Sequence, residues 1–285
     1  MTQVYFNGRW VAPEQAQVSV FDRGFLFGDG VYEVIPVFAG RSFGLMEHID
    51  RLGRSLAAID IREPLERHEW IAIIERLVRD CPSPDVSIYI QVTRGTAPKR
   101  DHAYPNPPVA ATVLASASPM AALSETIRRE GARAITVPDL RWARCDIKSV
   151  NLLPNIMARQ QAVAAGASEA ILVRDGMALE GAASNLFAVI DGALHTAPLG
   201  PHILGGITRQ KLLEMLRAQG QLAVVESAIP LDRLFDASEV FVTSSTRDLL
   251  PITRIDERPV GDGRIGPVWT TLNRDFQQMK TEQVV

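Results

Sequence analysis

Lys148 differs in type from most basic residues of this sequence, which contains four lysines and 26 arginines. A desolvated lysine can lose its proton and attack a carbonyl carbon, whereas the guanidinium of arginine stays protonated. The residue stands in the segment Arg144-Cys145-Asp146-Ile147-Lys148-Ser149, just before a predicted helix. This pattern predicts an imine-forming lysine, with a solvated lysine at the end of a strand as the alternative.

An isolated acidic residue, Glu180, follows Lys148 by 32 residues in the segment Leu179-Glu180-Gly181-Ala182-Ala183-Ser184-Asn185. Catalysis through a lysine imine needs an electron sink, and pyridoxal phosphate (PLP) is a common one. A carboxylate opposite the ring nitrogen of PLP favours the protonated, electron-withdrawing ring. We therefore expect Glu180 to be this partner, with a solvated carboxylate at a strand end as the alternative.

Two segments contain the donors that the phosphate of such a cofactor needs. Gly205-Gly206-Ile207-Thr208 precedes a predicted helix, whose first backbone N–H groups can bind an anion. Thr243-Ser244-Ser245-Thr246 adds hydroxyls, and Arg51 could supply a cation. Helix capping, a polar loop and a solvated arginine are the respective alternatives. The glycine-rich stretch 24–30 matches neither the dinucleotide fingerprint nor the P-loop, which argues against nucleotide binding.

A basic segment, Thr93-Arg94-Gly95-Thr96-Ala97-Pro98-Lys99-Arg100-Asp101-His102, follows a predicted strand. Arg100 and His102 are two residues apart, so in an extended segment they point to the same side and could bind a carboxylate together. A solvated loop is the alternative. Hydrolase and metalloenzyme functions are disfavoured, because the sequence has no nucleophile elbow and no metal-ligand spacing among His48, His68, His195 and His202.

The composition is that of an ordinary globular protein with a small-molecule partner. The net charge is -3, which gives no reason to expect binding to nucleic acid or to an anionic membrane. We recognise no secretory signal at the N-terminus and no apolar run long enough for a membrane helix, so we expect a cytoplasmic protein. The two cysteines, Cys81 and Cys145, are expected to be buried thiols, because they are too few and too far apart for a disulfide framework or a zinc site.

Apolar periodicity predicts an α+β unit in the first third of the 285 residues. We expect a hairpin at residues 4–11 with its turn at Asn7-Gly8, a glycine-rich loop at 22–30, helices at 46–59 and 66–78, and strands at 31–38, 86–93 and 109–115. Small and polar residues at 116–124 are typical of a linker. We therefore predict a smaller N-terminal domain at 1–117, a linker at 118–124 and a larger cofactor-binding domain at 125–285.

The predicted second domain alternates strands and helices. We expect strands at 134–137, 169–173, 177–180, 186–190, 193–196, 222–225 and 240–242, helices at 155–165, 209–218 and 268–280, and Thr208 as a helix cap. Turns at Asp175-Gly176 and Asp191-Gly192 predict that the strands between 169 and 196 run antiparallel.

Taken together, these residues resemble the fold-type IV PLP-dependent enzymes, and most closely the D-amino acid aminotransferases, from Tyr5 to about Phe276. The resemblance rests on several blocks in the same order. They are Asp22-Arg23-Gly24 through Phe27-Gly28-Asp29-Gly30-Val31-Tyr32-Glu33, Glu47-His48-Ile49-Asp50-Arg51-Leu52, Gln91-Val92-Thr93-Arg94-Gly95-Thr96, the Lys148 segment, Glu180-Gly181 with Ser184-Asn185, and Gly206-Ile207-Thr208-Arg209.

The resemblance implies a two-domain mixed α/β fold with PLP in the cleft between the domains, and a homodimer. The activity that it implies is a reversible ping-pong transfer of an amino group between D-amino acids and 2-oxo acids. Lys148 would form a Schiff base with the cofactor and Glu180 would pair with its ring nitrogen. The other implied cofactor contacts are Arg51, Ile207, Thr208, Ser244 and Ser245 around the phosphate, and Ser184 and Asn185 near the ring. The substrate carboxylate would be bound by Tyr32, Arg100 and His102. Of these three, Arg100 and His102 would reach in from the partner subunit.

Two departures from the family pattern stand out. The loop of Arg100 and His102 is one residue longer, with Lys99 as an extra cation, and Ala182 and Ala183 replace common hydroxyl residues. The alternatives on the same fold are a branched-chain L-amino acid aminotransferase, an (R)-amine transaminase and a 4-amino-4-deoxychorismate lyase. A non-catalytic binding protein is the alternative outside enzymology.

Overall fold

The structure, a computed structural model, describes residues 3–283. The described chain divides into two compact units. The first contains residues 3–121 and the short segment Ile147–Asn151, and the second contains Ala122–Asp146 and Leu152–Gln283. Residues 1–2 and 284–285, at the ends of the predicted domains, lie outside the described residues, and the domain boundaries given above stay predictions.

The first unit is built on an antiparallel six-stranded sheet. Its strands are β1 (Val4–Phe6), β2 (Arg9–Val11), β3 (Gly30–Phe38), β4 (Arg41–Ser42), β5 (Val86–Thr93) and β6 (Thr112–Pro119), in the order β2-β1-β6-β5-β3-β4. Its helices are a short 3-10 helix (Pro13–Gln15), α1 (Arg23–Phe27), α2 (Leu45–Ala57) and α3 (Arg67–Asp80).

Helix α2 packs its apolar face into the core of this unit. Ile49, Leu52 and Leu56 recur at helical spacing and are at most 5% exposed. They meet alternate residues of β3 and β5, including Val31 and Ile90, which are fully buried. Because side chains alternate along a strand, β3 therefore has one face that packs against α2 and another that carries Tyr32.

The second unit contains the remaining elements. Its strands are β7 (Ala132–Pro138), β8 (Glu169–Arg174), β9 (Met177–Gly181), β10 (Asn185–Ile190), β11 (Ala193–Thr196), β12 (Val224–Glu226), β13 (Ile229–Pro230), β14 (Glu239–Ser244), β15 (Asp248–Ile255) and β16 (Arg258–Pro259). Its helices are α4 (Glu125–Glu130), α5 (Leu153–Ala164), α6 (Ile207–Gln219), α7 (Leu231–Phe235) and α8 (Pro267–Gln283).

Six of these strands close into a ring in the order β10-β14-β15-β7-β8-β9, because β9 also pairs with β10. The strands from β8 to β11 run antiparallel, as predicted from the two Asp-Gly turns. β7 lies parallel to both β8 and β15. Helices and sheets in both units confirm the predicted mixed α/β fold.

Several sequence predictions were wrong in detail. The stretch predicted to be a loop at 22–30 contains α1, capped by Asp22, whose carboxylate accepts a hydrogen bond from Gly24 N at 2.8 Å. β6 starts at Thr112 and runs to Pro119, into residues predicted to be a linker, because it pairs along its whole length with β5. Helix α6 begins at Ile207 with Gly206 as its cap, so Thr208 lies inside the first turn.

Among residues 3–283, no helix is both long enough and apolar enough to cross a membrane. The same residues contain no group of three or more His, Cys, Asp or Glu side chains that could hold a metal ion. Cys145 is buried, as predicted, whereas Cys81 is only half-buried.

Candidate active site

Lys148 lies in the part of the first unit that pairs with the beginning of β3. Its carbonyl accepts a hydrogen bond from Tyr32 N at 3.0 Å, and Val150 N donates to Gly30 O at 3.0 Å. The backbone N–H of Lys148 donates to Ser55 Oγ at 3.3 Å. The side chain is half-buried, with Nζ 4.2 Å from the centroid of the Tyr32 ring. The backbone of Lys148 is thus fixed by β3 and α2, while its amine lies against the predicted substrate-binding tyrosine.

Tyr32 belongs to a small polar group on one face of the sheet. Its ring centroid is 5.9 Å from that of Tyr89, and the Tyr89 hydroxyl donates to Gln91 Oε1 at 2.7 Å. Burial, helped by the neighbouring Tyr32, raises the pKa of Tyr89 to about 12. Tyr89 therefore stays protonated at neutral pH and acts as a hydrogen-bond donor.

Arg51, the predicted phosphate cation, lies on α2 in a buried ionic cluster. Its Nε donates to Glu33 Oε1 at 2.7 Å and its Nη2 to Glu33 Oε2 at 2.8 Å. His48 Nδ1 lies 2.8 Å from Glu33 Oε2. Burial alone would raise the pKa of Glu33, but the charge and hydrogen bonds of Arg51, with His48, hold it well below its usual range. Burial lowers the pKa of His48. Glu33 is therefore a permanent anion that orients the guanidinium of Arg51.

Arg100 and His102 lie on an exposed loop of the first unit. Both contact the same aromatic ring, because the Arg100 Cζ atom lies 5.0 Å from the Phe27 ring centroid and the His102 ring centroid lies 5.4 Å from it. Lys99, the extra cation of the longer loop, pairs with Asp101 at 3.0 Å and is 77% exposed. The structure thus brings Arg100 and His102 together on one side of the loop, and Lys99 has a separate partner.

Glu180 lies near the end of β9, inside the second unit, and is 3% exposed. Its carboxylate accepts hydrogen bonds from Arg141 Nη1, from Asn185 Nδ2 at 2.9 Å and from Leu204 N at 3.2 Å. Arg141 also binds Asp139, at 2.9 Å through Nε and 3.0 Å through Nη2. The solvated carboxylate considered from the sequence is therefore excluded for Glu180.

The pKa of Glu180 is raised from 4.5 to about 7. Burial is the main cause, and the charge of Asp139 acts in the same direction. Arg141 and the Leu204 N–H oppose this shift because they stabilise the ionised carboxylate. Glu180 is therefore near its titration point at neutral pH, and a perturbed pKa of this kind marks a candidate functional group.

Ser184 and Asn185 follow Glu180 but contact different carboxylates. Asn185 Nδ2 donates to Glu180 and to Leu204 O at 2.8 Å, so this amide fixes the carboxylate within the second unit. The Ser184 hydroxyl instead donates to the buried Glu169 at 2.9 Å. Asn185 therefore supports Glu180 directly, whereas Ser184 stabilises the bend between β9 and β10.

Ile207 and Thr208 form the first turn of α6 and are at most 5% exposed. The first N–H groups of a helix have no acceptor within the helix, and they favour an anion. Gly206 precedes them, and a Cβ atom at this position would overlap Asn185 Oδ1. The glycine therefore lets the beginning of α6 approach the residue that supports Glu180.

The end of β14 adds hydroxyl groups in the same unit. Ser244 and Ser245 are half-buried. Thr243 is 2% exposed, and its Oγ1 atom has no hydrogen-bond partner among the described residues. A buried hydroxyl without a partner is rare, and a bound group that donates or accepts a hydrogen bond would satisfy it. A half-buried lysine amine, a buried acid and donors suited to a phosphate are the groups that PLP requires, so the residues present fit this cofactor.

Sequence reasoning missed several residues that the structure connects to the predicted ones. Glu33 and His48 stood in the blocks of the resemblance, but no local pattern indicated their buried cluster with Arg51. Arg141 is one of 26 arginines and has no distinguishing neighbour in the sequence. Thr243 stood in a segment chosen for its hydroxyls, and only its burial marks it out.

Comparison with known proteins identifies the family. The model of the family described as Amino-transferase class IV matches residues 30–255. A D-alanine aminotransferase of Staphylococcus epidermidis is 39% identical over 278 residues, which are 98% of this chain and 98% of that protein. A D-alanine aminotransferase of Bacillus licheniformis is 42% identical over 96% of each chain.

Solved structures give a consistent result for the fold. A branched-chain amino acid aminotransferase of Escherichia coli superposes with a TM-score of 0.89 at 26% identity, covering 99% of this chain and 96% of that one. The T.th. branched-chain amino acid aminotransferase with pyridoxamine 5'-phosphate has a TM-score of 0.88 at 30% identity, covering 99% and 94%. The predicted fold-type IV resemblance is confirmed, and the chain belongs to the class IV aminotransferase family of PLP-dependent enzymes.

Proposed function

We propose that this enzyme transfers an amino group reversibly between D-alanine and 2-oxoglutarate in a ping-pong reaction. The observation that carries the proposal is the 39% to 42% identity, over at least 96% of each chain, to proteins that are D-alanine aminotransferases. The branched-chain amino acid aminotransferases of similar fold are 26% to 30% identical. Transfer from branched-chain L-amino acids is therefore the second candidate.

The proposed roles follow the chemistry of each group. Bound PLP supplies an aldehyde that takes up the amino group and a ring that withdraws electrons from the substrate α-carbon. Lys148 Nζ would hold the cofactor and act as the base for the α-carbon proton, and the Glu180 carboxylate would pair with the ring nitrogen. Arg51, Ile207, Thr208, Ser244 and Ser245 bind the phosphate, whereas Ser184 and Asn185 support the region around Glu180.

The substrate carboxylate is assigned to Tyr32, Arg100 and His102. Arg100 presents a guanidinium suited to bidentate binding of a carboxylate, and His102 lies on the same side of the loop. We further propose a homodimer in which Arg100 and His102 serve the site of the partner subunit. The cytoplasmic location stays a prediction from the sequence.

Replacement of Lys148 tests the cofactor attachment. We expect Lys148→Ala to abolish transfer of the amino group. The absorbance of the lysine-bound cofactor near the edge of the visible range should be lost as well. Borohydride reduction of the wild-type holoenzyme should attach the cofactor to the peptide around residue 148, as read by mass spectrometry. Lys99→Ala, at an exposed lysine, should keep the absorbance. Labelling of another lysine would refute the assignment.

A substrate panel separates the candidate functions. We expect turnover of D-alanine with 2-oxoglutarate to exceed that of L-leucine and of (R)-phenylethylamine, and no release of pyruvate from aminodeoxychorismate. Faster turnover of L-leucine would instead support the branched-chain function.

Mixing two defective variants tests the shared site, at a D-alanine concentration at which Arg100→Ala alone shows little turnover. In a dimer that combines Lys148→Ala with Arg100→Ala, one site would keep both residues if Arg100 reaches into the partner. Random assembly of equal amounts should then restore about one quarter of the wild-type activity. No recovery, despite mixed dimers in native mass spectrometry, would refute the shared arrangement.

A further inference from the structure

The loop that carries Arg100 and His102 is held by a buried arginine. Arg23 lies at the beginning of α1 and is 3% exposed. Its Nη1 atom donates to Asp101 O at 2.6 Å and to Ala103 O at 3.2 Å, and its Nη2 atom donates to His102 O at 3.1 Å. One guanidinium therefore binds three successive backbone carbonyls of this loop.

The remaining edge of this guanidinium is fixed by an acidic residue. Arg23 Nε donates to Asp29 Oδ2 at 2.7 Å. Asp29 also accepts hydrogen bonds from Arg94, at 2.8 Å from Nε and 3.0 Å from Nη2. The Arg94 Cζ atom lies 3.5 Å from the centroid of the Tyr104 ring, one residue beyond the carbonyls that Arg23 binds. Asp29 thus joins two arginines that hold adjacent parts of the loop.

Phe27 connects this buried network to the exposed cations. The Arg23 Cζ atom lies 4.9 Å from the centroid of the Phe27 ring, and both Arg100 and His102 contact the same ring. Within the described chain, residues 98–111 lie outside every helix and strand. Regular backbone pairing therefore does not order the loop, and the Arg23 and Phe27 contacts are the means by which α1 fixes it.

We infer that Arg23 is a positioning residue, which orients Arg100 and His102 for substrate carboxylates by fixing the backbone of residues 101–103. This inference rests on the proposed function. Arg23 does not touch the substrate. Its role depends on the planar fork of donors that arginine has and lysine lacks, since a single ammonium cannot reach three carbonyls and Asp29 in this geometry.

The experiment measures steady-state kinetics of the Arg23→Lys holoenzyme. We expect KM for D-alanine and for 2-oxoglutarate to rise about tenfold, with kcat changed by less than about threefold, because carboxylate binding is weakened while the chemical step keeps its groups. Propionate, a carboxylate without an amino group, should also bind about tenfold more weakly when titrated against the absorbance of the bound cofactor.

Arg76→Lys is the matched control. Arg76 also lies over an aromatic ring of the first unit, 4.1 Å from the centroid of Trp10, but it pairs with Asp80 and Gln3 and not with the loop. We expect its KM values and propionate affinity to equal those of the wild type. A thermal melt of each variant checks folding, and Asp29→Asn, which weakens the same network without removing Arg23, replaces Arg23→Lys if that variant does not fold.

The outcomes separate this inference from the proposed function. Wild-type turnover of D-alanine tests the function, and Arg100→Ala tests the carboxylate role of the loop. If Arg100→Ala raises KM while folded Arg23→Lys or Asp29→Asn leaves KM and propionate affinity unchanged, the inference is overturned and the function stands. A fall in kcat of Arg23→Lys with unchanged KM also overturns the inference, because that result would assign Arg23 to the chemical step or to general stability.

Discussion

Two buried carboxylates, Glu33 in the first unit and Glu180 in the second, have opposite titration behaviour. Both are at most 3% exposed and both bind an arginine. The pKa of Glu33 lies well below its usual range, whereas that of Glu180 is raised to about 7. Burial pushes both values upward, so the difference must come from the charged groups around each carboxylate.

The partners of the two carboxylates explain the difference. Both oxygens of Glu33 bind the guanidinium of Arg51, and His48 adds a further hydrogen bond. Glu180 shares its guanidinium with Asp139, a second carboxylate whose charge makes ionisation of Glu180 harder. The permanent charge of Glu33 can hold Arg51 in place, whereas the protonation state of Glu180 can change near neutral pH.

The largest expected effect is the loss of protein stability when the ionic cluster of Glu33, His48 and Arg51 is broken. In the cofactor-free full-length protein, Glu33→Gln leaves the buried Arg51 without its counter-charge. We expect the free energy of unfolding to fall by about 3–5 kcal/mol, measured by urea denaturation at neutral pH.

The matched control for this change is an exposed ion pair between α2, the helix of Arg51, and α3. Asp50 pairs with Arg67, and their side chains are 42% and 54% exposed. Asp50→Asn should cost less than about 1 kcal/mol. Equal losses in the two variants would contradict the assignment of Glu33 as a buried, structure-determining anion.

The next effect is the pH dependence that Glu180 contributes. Because its pKa in the folded protein, about 7, exceeds the unfolded value of 4.5, its contribution to stability is complete below 4.5 and is lost as pH rises through 7. Relative to Glu180→Gln, the cofactor-free wild type should lose about 3 kcal/mol of unfolding free energy over this range. Urea denaturation at several pH values measures this difference. If the free energies of unfolding of the two proteins changed equally with pH, Glu180 would not titrate between pH 4.5 and 7.

The contrast between these clusters was only partly visible in the sequence. Periodicity predicted α2 and β3, because the apolar residues of both elements recur at regular spacing. It did not predict that Glu33, an acidic residue in an otherwise apolar strand, faces α2 and binds Arg51. Residue type and spacing predicted Lys148 and Glu180, and the resemblance then implied their roles, because both signals are local in sequence. Their partners Ser55 and Arg141 are 93 and 39 residues away, and such contacts depend on the fold.

Strand β15 shows a similar limit. It contains Pro251, begins with Asp248 and has Thr253 and Arg254 near its end, so its pattern does not predict a strand, yet it pairs with β14 and β7 inside the ring. Ser184, a hydroxyl residue that the resemblance placed near the cofactor ring, is a second case. That hydroxyl binds Glu169, which precedes it by 15 residues. Contacts in the folded protein therefore determine both the formation of β15 and the partner of the Ser184 hydroxyl.

The smallest expected change concerns the arginine of the second cluster. Arg141→Met removes the positive charge that opposes the effect of burial, so the pKa of Glu180 in the cofactor-free protein should rise from its value of about 7. Carbon NMR of glutamate-labelled protein measures this value, and the signal that disappears in Glu180→Gln identifies the residue. Arg144→Met is the control, because Arg144 is exposed and pairs with Asp146. If the pKa of Glu180 were unchanged or lowered in Arg141→Met, the shared guanidinium would not explain why the two carboxylates differ.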